Sequence, residues 1–233
     1  MELRFDSFEA LMFDCYGTII DWETGILNAL QPIFGAHNVV LENNEALEMY
    51  AEIESAIEAG PYKKYTDVLS STLLEFGQRL NFSPATDELD SFSRCVKDWP
   101  PFSDSKKALE RFQSRYKLVI LSNVDDDLFE YSRQKLGIKF HQVYTAQQAR
   151  SYKPSLRNFE YALNQLGIPK ERVLHVAQSL FHDIRPANQF GLSTVWVNRR
   201  KGMQGAGATL PVEAKPDYEV SSLNELADVM GLK

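Results

Sequence analysis

Two hydrophobic rhythms divide this chain. Short apolar runs that stop at polar residues, EALMFDC (9–15), YKLVILS (116–122), HQVYT (141–145), RVLHVA (172–177) and STVWVN (193–198), predict strands. Between them, SDSKKALERFQSRY, DDLFEYSRQKLG and SLRNFEYALNQLG repeat apolar residues at helical spacing. Each opens on a capping Ser or Asp, and the last two close on Gly. Strands alternating with helices are the pattern of a parallel sheet covered on both faces. From residue 21 to 95 the alternation stops, and Leu47, Tyr50, Ile53, Ile57, Leu69, Leu73, Leu74 and Phe76 recur at helical spacing. The economical organisation is an α/β core of residues 1–20 and 96–233 interrupted by an all-helical insertion of residues 21–95. The prolines of WPPFSDS mark the return to the core. The Gly-rich KGMQGAGATLP neither directly follows a strand nor opens a helix, so it reads as a surface loop, and YEVSSLNELADVMG reads as a short strand and a capped helix.

Composition narrows the partners. The 233 residues are 44% hydrophobic and 24% charged, with a formal net charge of −7. That is ordinary globular material with enough apolar residues for a sizeable core. The acidic balance argues against a nucleic-acid or anionic-membrane partner, and no run is long enough to span a membrane. Two cysteines, Cys15 and Cys95, form neither a metal-ligand spacing nor a disulfide framework. A cytoplasmic protein acting on a small molecule is expected, and a homodimer stays open.

The chemistry gathers at strand ends. LMFDCYGTIID delivers Asp14 to the tip of an apolar run and turns at Gly17-Thr18. Ligands of open α/β sheets collect at that edge. KLVILSN ends at Ser122-Asn123, SYKP places Lys153 before a proline, and VLHVAQSLFHD leads to Asp183. Each of these residues also has a plain structural reading. Asp14 suits a turn cap, Lys153 a solvated loop, and Ser122 and Asn123 the cap of a helix whose start carries Asp125, Asp126 and Asp127. Trp22, Tyr62 and Tyr65 suit packing, His175 and His182 suit hydrogen-bonded structural roles, and Cys15 should point into the core. The convergence of four such segments in order favours a site.

That order resembles the haloacid dehalogenase superfamily of hydrolases, whose motifs are a nucleophilic Asp, a Ser or Thr, a Lys and a final acidic loop. Asp14, Ser122, Lys153 and Asp183 match them. The resemblance implies a Rossmann-like parallel sheet with the helical insertion 21–95 as a cap over the catalytic edge. Phosphatases of the superfamily carry a second Asp two residues after the nucleophile, where this chain has Tyr16, and Gly-Asp-Ser where it has Ala177-Gln178-Ser179. An alkoxide leaves poorly unless protonated, whereas a halide needs no general acid. Replacing a carboxylate by Gln178 also weakens a site for Mg²⁺, which favours hard oxygen ligands. Both departures are similar to the type II 2-haloacid dehalogenases, whose first motif reads Asp-x-Tyr-Gly-Thr as at Asp14 to Thr18.

For that branch the resemblance implies no cofactor and a two-step reaction through an aspartyl ester. Asp14 would be the nucleophile and Lys153 would pair with Asp14 and Asp183. Thr18, Ser122 and Ser179 would donate hydrogen bonds to carboxylate oxygens, Asn123 would face the departing halide, and Asp183 would position the hydrolytic water. Tyr16, Trp22, Phe159, Gln178 and Ser179 complete the candidate substrate surface. The branch also uses an Arg from the first cap helices, yet GILNALQPIFGAHNVVLENNEALEMYAEIE has none, and Lys63 and Lys64 are the nearest cap cations. Phe159 stands where the branch has Tyr, and Gln178 and Leu180 where it has Ser and Asn. The alternatives are a Mg²⁺-dependent phosphatase for a small organophosphate and a binding protein that kept the fold without turnover. A buried Asp14, Lys153 and Asp183 set would be costly to keep without use, which argues against the last.

Overall fold

Each apolar run becomes one strand of a single parallel sheet in this computed structural model, which describes residues 3–233. The strands are β1 (Ala10–Phe13), β2 (Lys117–Ser122), β3 (Gln142–Thr145), β4 (Val173–Ala177), β5 (Ser193–Val197) and β6 (Tyr218–Val220), in the order β3-β2-β1-β4-β5-β6. Phe13 of β1 pairs with Ile120 of β2 on one side and with Val176 of β4 on the other. The chain therefore winds outward through β2 and β3, crosses back, and winds the other way from β4. The crevice beyond the strand ends at such a reversal is where ligands of doubly wound sheets bind.

Period-2 alternation along β1 feeds two cores. Leu11, Phe13 and Cys15 join one cluster with Leu109 and Phe112 of α5 (Ser105–Gln113), Leu128 and Phe129 of α6 (Asp126–Leu136), and Leu226 of α10 (Leu223–Val229). Ala10 and Met12 join the other, with Phe159 and Ala162 of α8 (Leu156–Leu166) and Ala187 of α9 (Arg185–Phe190). A one-turn helix, α7 (Ala146–Ala149), follows β3. The helices α6 and α8 end at Gly137 and Gly167, where the sequence places their stops. Their starts differ from expectation. Ser155 caps α8, but Asp104 and Asp125 make no side-chain cap on α5 and α6. Asp104 instead accepts from Arg199 Nη1 at 3.0 Å and from Leu223 N at 2.8 Å, and Asp125 accepts from Thr66 N at 3.2 Å. Long-range partners have claimed both carboxylates.

Between β1 and α5 lie α1 (Trp22–Ala36), α2 (Asn43–Glu58), α3 (Tyr65–Leu80) and α4 (Thr86–Ser93). The chain leaves and returns side by side, with Asp21 N donating to Pro100 O at 2.8 Å and Phe102 N to Ile19 O at 3.1 Å. Buried residues of these helices, among them Leu30, Tyr50, Leu69 and Phe76, belong to the same cluster as Leu11 and Phe13. The Gly-rich stretch 201–211 is irregular, but part of it is docked rather than free: Ala206 N donates to Glu48 and Ala208 N to Glu23, with Ala208 buried. Among the described residues, no helix is long and apolar enough to cross a membrane.

Candidate active site

β1 ends at Phe13 and leaves Asp14 at the sheet edge, its N–H donating to Val176 O at 3.1 Å. The chain then reverses within a few residues, which Gly17 permits. Its φ is +92°, and a Cβ there would meet Gln178 Oε1 at 2.7 Å. The reversal turns Thr18 back onto the nucleophile position. Its hydroxyl donates to Asp14 Oδ2 at 2.7 Å and accepts from Gln178 N at 2.8 Å. From the loop after α7, Lys153 reaches the same point and uses all three of its N–H donors. Nζ donates to Asp14 Oδ1 at 2.9 Å, to Asp183 Oδ1 at 2.8 Å and to Leu121 O at 2.9 Å.

These three charged groups are almost wholly buried: Asp14 is 6% exposed, Lys153 1% and Asp183 0%. Burial would drive the ammonium of Lys153 toward neutrality, but Asp14 and Asp183 outweigh it and hold its pKa above the ordinary lysine value. Burial also opposes the charge of Asp183, yet Lys153 and His175 Nε2, 2.9 Å from Oδ1, keep its carboxyl below the ordinary aspartate range. Asp14 stands the other way. Burial raises its pKa, with Lys153 and Thr18 holding it back. A carboxylate that loses little solvation when it is consumed, backed by a fixed ammonium, is a prepared nucleophile.

The cavity in front of Asp14 is about 30 Å³, room for a water molecule or two, and is also lined by Tyr16, Trp22, Glu54, Glu58, Tyr65, Ser122, Asn123, Ser179 and His182. Its helical wall is acidic. Glu54 accepts from Tyr50 Oη at 2.8 Å and Tyr65 Oη at 2.5 Å, and burial pushes its pKa up to about 7 against those two bonds. Glu58 accepts from Asn123 Nδ2 at 3.1 Å through Oε2, while Oε1 is buried without a partner. Although Glu58 sits at a partly exposed helix end, its carboxyl is enclosed. Burial and the nearby Glu54 raise its pKa well above the ordinary value. Burial pushes His182 down to about 4, so its ring is neutral. Ser179 Oγ lies 3.2 Å from His182 Nδ1 and accepts from His182 N at 2.9 Å. A Ser179 hydroxyl donating to Nδ1 puts the ring proton on Nε2, which has no partner.

The sequence-derived candidates divide accordingly. Asp14, Thr18, Lys153 and Asp183 converge, and Tyr16 and Trp22 line the cavity, with Tyr16 Oη 3.1 Å from Ser132 Oγ. Ser122 lines it too, but its hydroxyl reaches no carboxylate and has no partner. Ser179 serves His182 rather than a carboxylate. Asn123 is already engaged. Its amide donates to Glu58 and to Lys153 O at 2.9 Å and accepts from Lys153 N at 2.7 Å, so it clamps the lysine loop. Phe159 is 0% exposed in the core on the far side of β1, edge-on to His175, so it cannot touch a substrate. The Gln178 side chain faces a neighbouring cleft with Arg199 and Arg200. Neither Lys63 nor Lys64 lines the cavity; Lys63 offers only its carbonyl, to Tyr152 Oη at 3.0 Å. Glu54 and Glu58 line the cavity without being among the residues the sequence points to, and Tyr65 and His182, which suit structural roles in the sequence, line it as well. Glu54 and Glu58 carry the one signal available, an i, i+4 acidic pair on an otherwise amphipathic helix.

A strand-tip aspartate locked to a buried lysine and a second aspartate, at the reversal of a doubly wound sheet, describes a hydrolase site. This chain belongs to the haloacid dehalogenase-like hydrolases, whose family profile matches residues 8–191. Among curated relatives, (S)-2-haloacid dehalogenase 4A of Burkholderia cepacia is 27% identical over 238 residues, covering 95% of this chain and 94% of the relative. Haloacetate dehalogenase H-2 of Moraxella sp. strain B is 28% identical over 200 residues, covering 82% and 86%. The solved structure of L-2-haloacid dehalogenase from Xanthobacter autotrophicus superposes with a TM-score of 0.80 at 20% identity, covering 96% of this chain and 98% of that one.

Proposed function

We propose that this protein hydrolyses the carbon–halogen bond of a small 2-haloacid in two steps, with residues 21–95 as a cap over the site. In the first step an Asp14 carboxylate oxygen attacks the α-carbon, the carbon–halogen bond breaks, and halide leaves with the bonding pair. In the second, water attacks the Asp14 carbonyl carbon. The product keeps the Asp14 oxygen as its hydroxyl, the water oxygen stays on Asp14, and a proton is released as the counterpart of the halide. Asp183 Oδ2, buried without a partner, is the group that accepts the water proton. Thr18 and Lys153 hold the attacking carboxylate in place.

One observation carries this reading: Asp14 faces a cavity with Lys153 locked behind it, and the position two residues on, where a phosphatase carries its general acid, is Tyr16. Tyr16 fills the expected acid position, and burial raises its phenol far above the range useful for proton transfer at neutral pH. The donor set also suits a divalent cation poorly. Lys153 already bridges Asp14 and Asp183 through their Oδ1 atoms, and Gln178 turns away. We therefore read the enzyme as needing no metal, and its two free cysteines, Cys15 and Cys95, suit a reducing cytoplasm. Incubation with L-2-chloropropionate and, separately, p-nitrophenyl phosphate tests this. Halide release unchanged by EDTA is expected; EDTA-sensitive phosphate release without halide release contradicts it.

A further inference from the structure

The cavity in front of Asp14, which must widen from about 30 Å³ to admit a haloacid, offers an anionic substrate no free cation among its lining residues. Among the described residues Lys153 is the one lysine or arginine that lines it, and its three donors are spent on Asp14, Asp183 and Leu121 O. The wall contributed by α2 carries Glu54 and Glu58 instead. Were both ionised, they would join Asp14 and Asp183 in repelling a carboxylate inside a low-dielectric pocket. Yet four buried polar atoms of the lining residues have no partner: Asp183 Oδ2, which the hydrolytic step uses, and Glu58 Oε1, Ser122 Oγ and His182 Nε2. Glu58, Ser122 and His182 thus bring unused polar atoms to one cavity lining.

We propose that Glu58 is the specificity-determining residue that receives the substrate carboxylate, through a hydrogen bond donated by its own carboxyl group in place of a cation. This rests on the haloacid reading above. Glu54 makes it workable. Its Oε1 takes two phenolic hydroxyls, bonds that favour the charged form, so as the pH rises Glu54 gives up its proton before Glu58 does. A carboxylic acid kept neutral by burial so that it can donate is an established way of stabilising an anion. Ser122 Oγ–H and the Nε2–H of neutral His182 supply the remaining donors.

The groups facing Glu58 fix the direction of the pH effect. Glu54 on the same helix and Tyr65 on α3 press on it from the cap side. Lys153, His182, Asp14 and Asp183 face it from the core. Arg150, Tyr62 and Tyr152 share the outer cleft with it, the guanidinium 4.6 Å above the Tyr62 ring. Raising the pH removes the Glu58 proton, turns a donor into a repelling charge, and weakens binding of an anion but not of a neutral analogue.

The test measures halide release from L-2-chloropropionate and from neutral 2-chloropropionamide between pH 5.5 and 9.5, with KM and kcat separated. The wild type should show a KM for the acid that rises at least about tenfold toward alkaline pH, while that for the amide stays flat. Glu58→Ala should raise the KM for the acid about tenfold at pH 6, and Glu58→Gln, which keeps a donor, should recover most of that loss and abolish the alkaline rise. Binding of propionate, which has no leaving group, should follow the same pattern by calorimetry, so the readout does not depend on turnover. A KM for the acid that is flat with pH, or that falls in Glu58→Ala, overturns the assignment while leaving the haloacid reading intact. No halide from either compound at any pH overturns that reading and this assignment with it.

Discussion

Lys153 decides what Asp14 can be. Without its ammonium, two carboxylates would share a dry pocket, and one would take up a proton and cease to be useful. Breaking a buried ion pair on one side strands the other charge. Lys153→Met should therefore lower the unfolding free energy by about 3–5 kcal/mol in urea titration and abolish turnover together. Asp14→Asn should abolish turnover with a far smaller stability loss, because it removes a charge that burial already disfavours. Equal losses in the two variants would contradict this division of roles. At this scale the sequence was most legible where chemistry sits next to a strand end. Asp14, Lys153 and Asp183, whose side chains meet in the structure, each adjoin an apolar run or a proline in the sequence. Glu58 and Asn123 meet across 65 positions, and no local pattern announces such a contact. Phe159 failed as a site residue because α8 turns it into the second core, a direction that one-dimensional spacing does not give.

At the scale of elements, the strand after the N-terminus and the helix that follows the turn carry the placement of the nucleophile. α1 approaches the return segment so closely that Gly25 has no room for a side chain. A Cβ there would lie 2.1 Å from Trp99 Cδ1. Trp99 in turn stands edge-on to Tyr16, with ring centroids 5.2 Å apart, and Tyr16 lines the cavity. Gly25→Ala should force Trp99 to move, costing about 1–3 kcal/mol of stability by thermal melting, and should reduce halide release without altering Asp14. Unchanged melting and activity would show that this contact is slack. The strands were readable because each is a short apolar run with clear ends. Helix starts were less so. An Asp before an amphipathic run looks like a cap, but Asp104 and Asp125 serve Arg199 and Thr66, partners that only the tertiary fold brings near.

The whole molecule joins two layers that the chain writes separately. The sheet brings Asp14, Ser122 and the loop to Asp183 to one edge, and the helices of residues 22–93 close over that edge with a largely aromatic and acidic wall. The alternation of strands and helices makes the sheet legible, and where the alternation stops, residues 22–93 form helices as their spacing predicts. What the pattern did not contain was how the second layer faces the first, and hence that it carries carboxylates rather than a cation into the cavity. The central claim is that Asp14 forms a bond to the substrate. A single turnover in H₂¹⁸O, with enzyme in excess over L-2-chloropropionate, tests it most directly by mass spectrometry of the product and of the peptide containing Asp14. The account predicts label in Asp14 and an unlabelled first product; label in that product with Asp14 unchanged would contradict it.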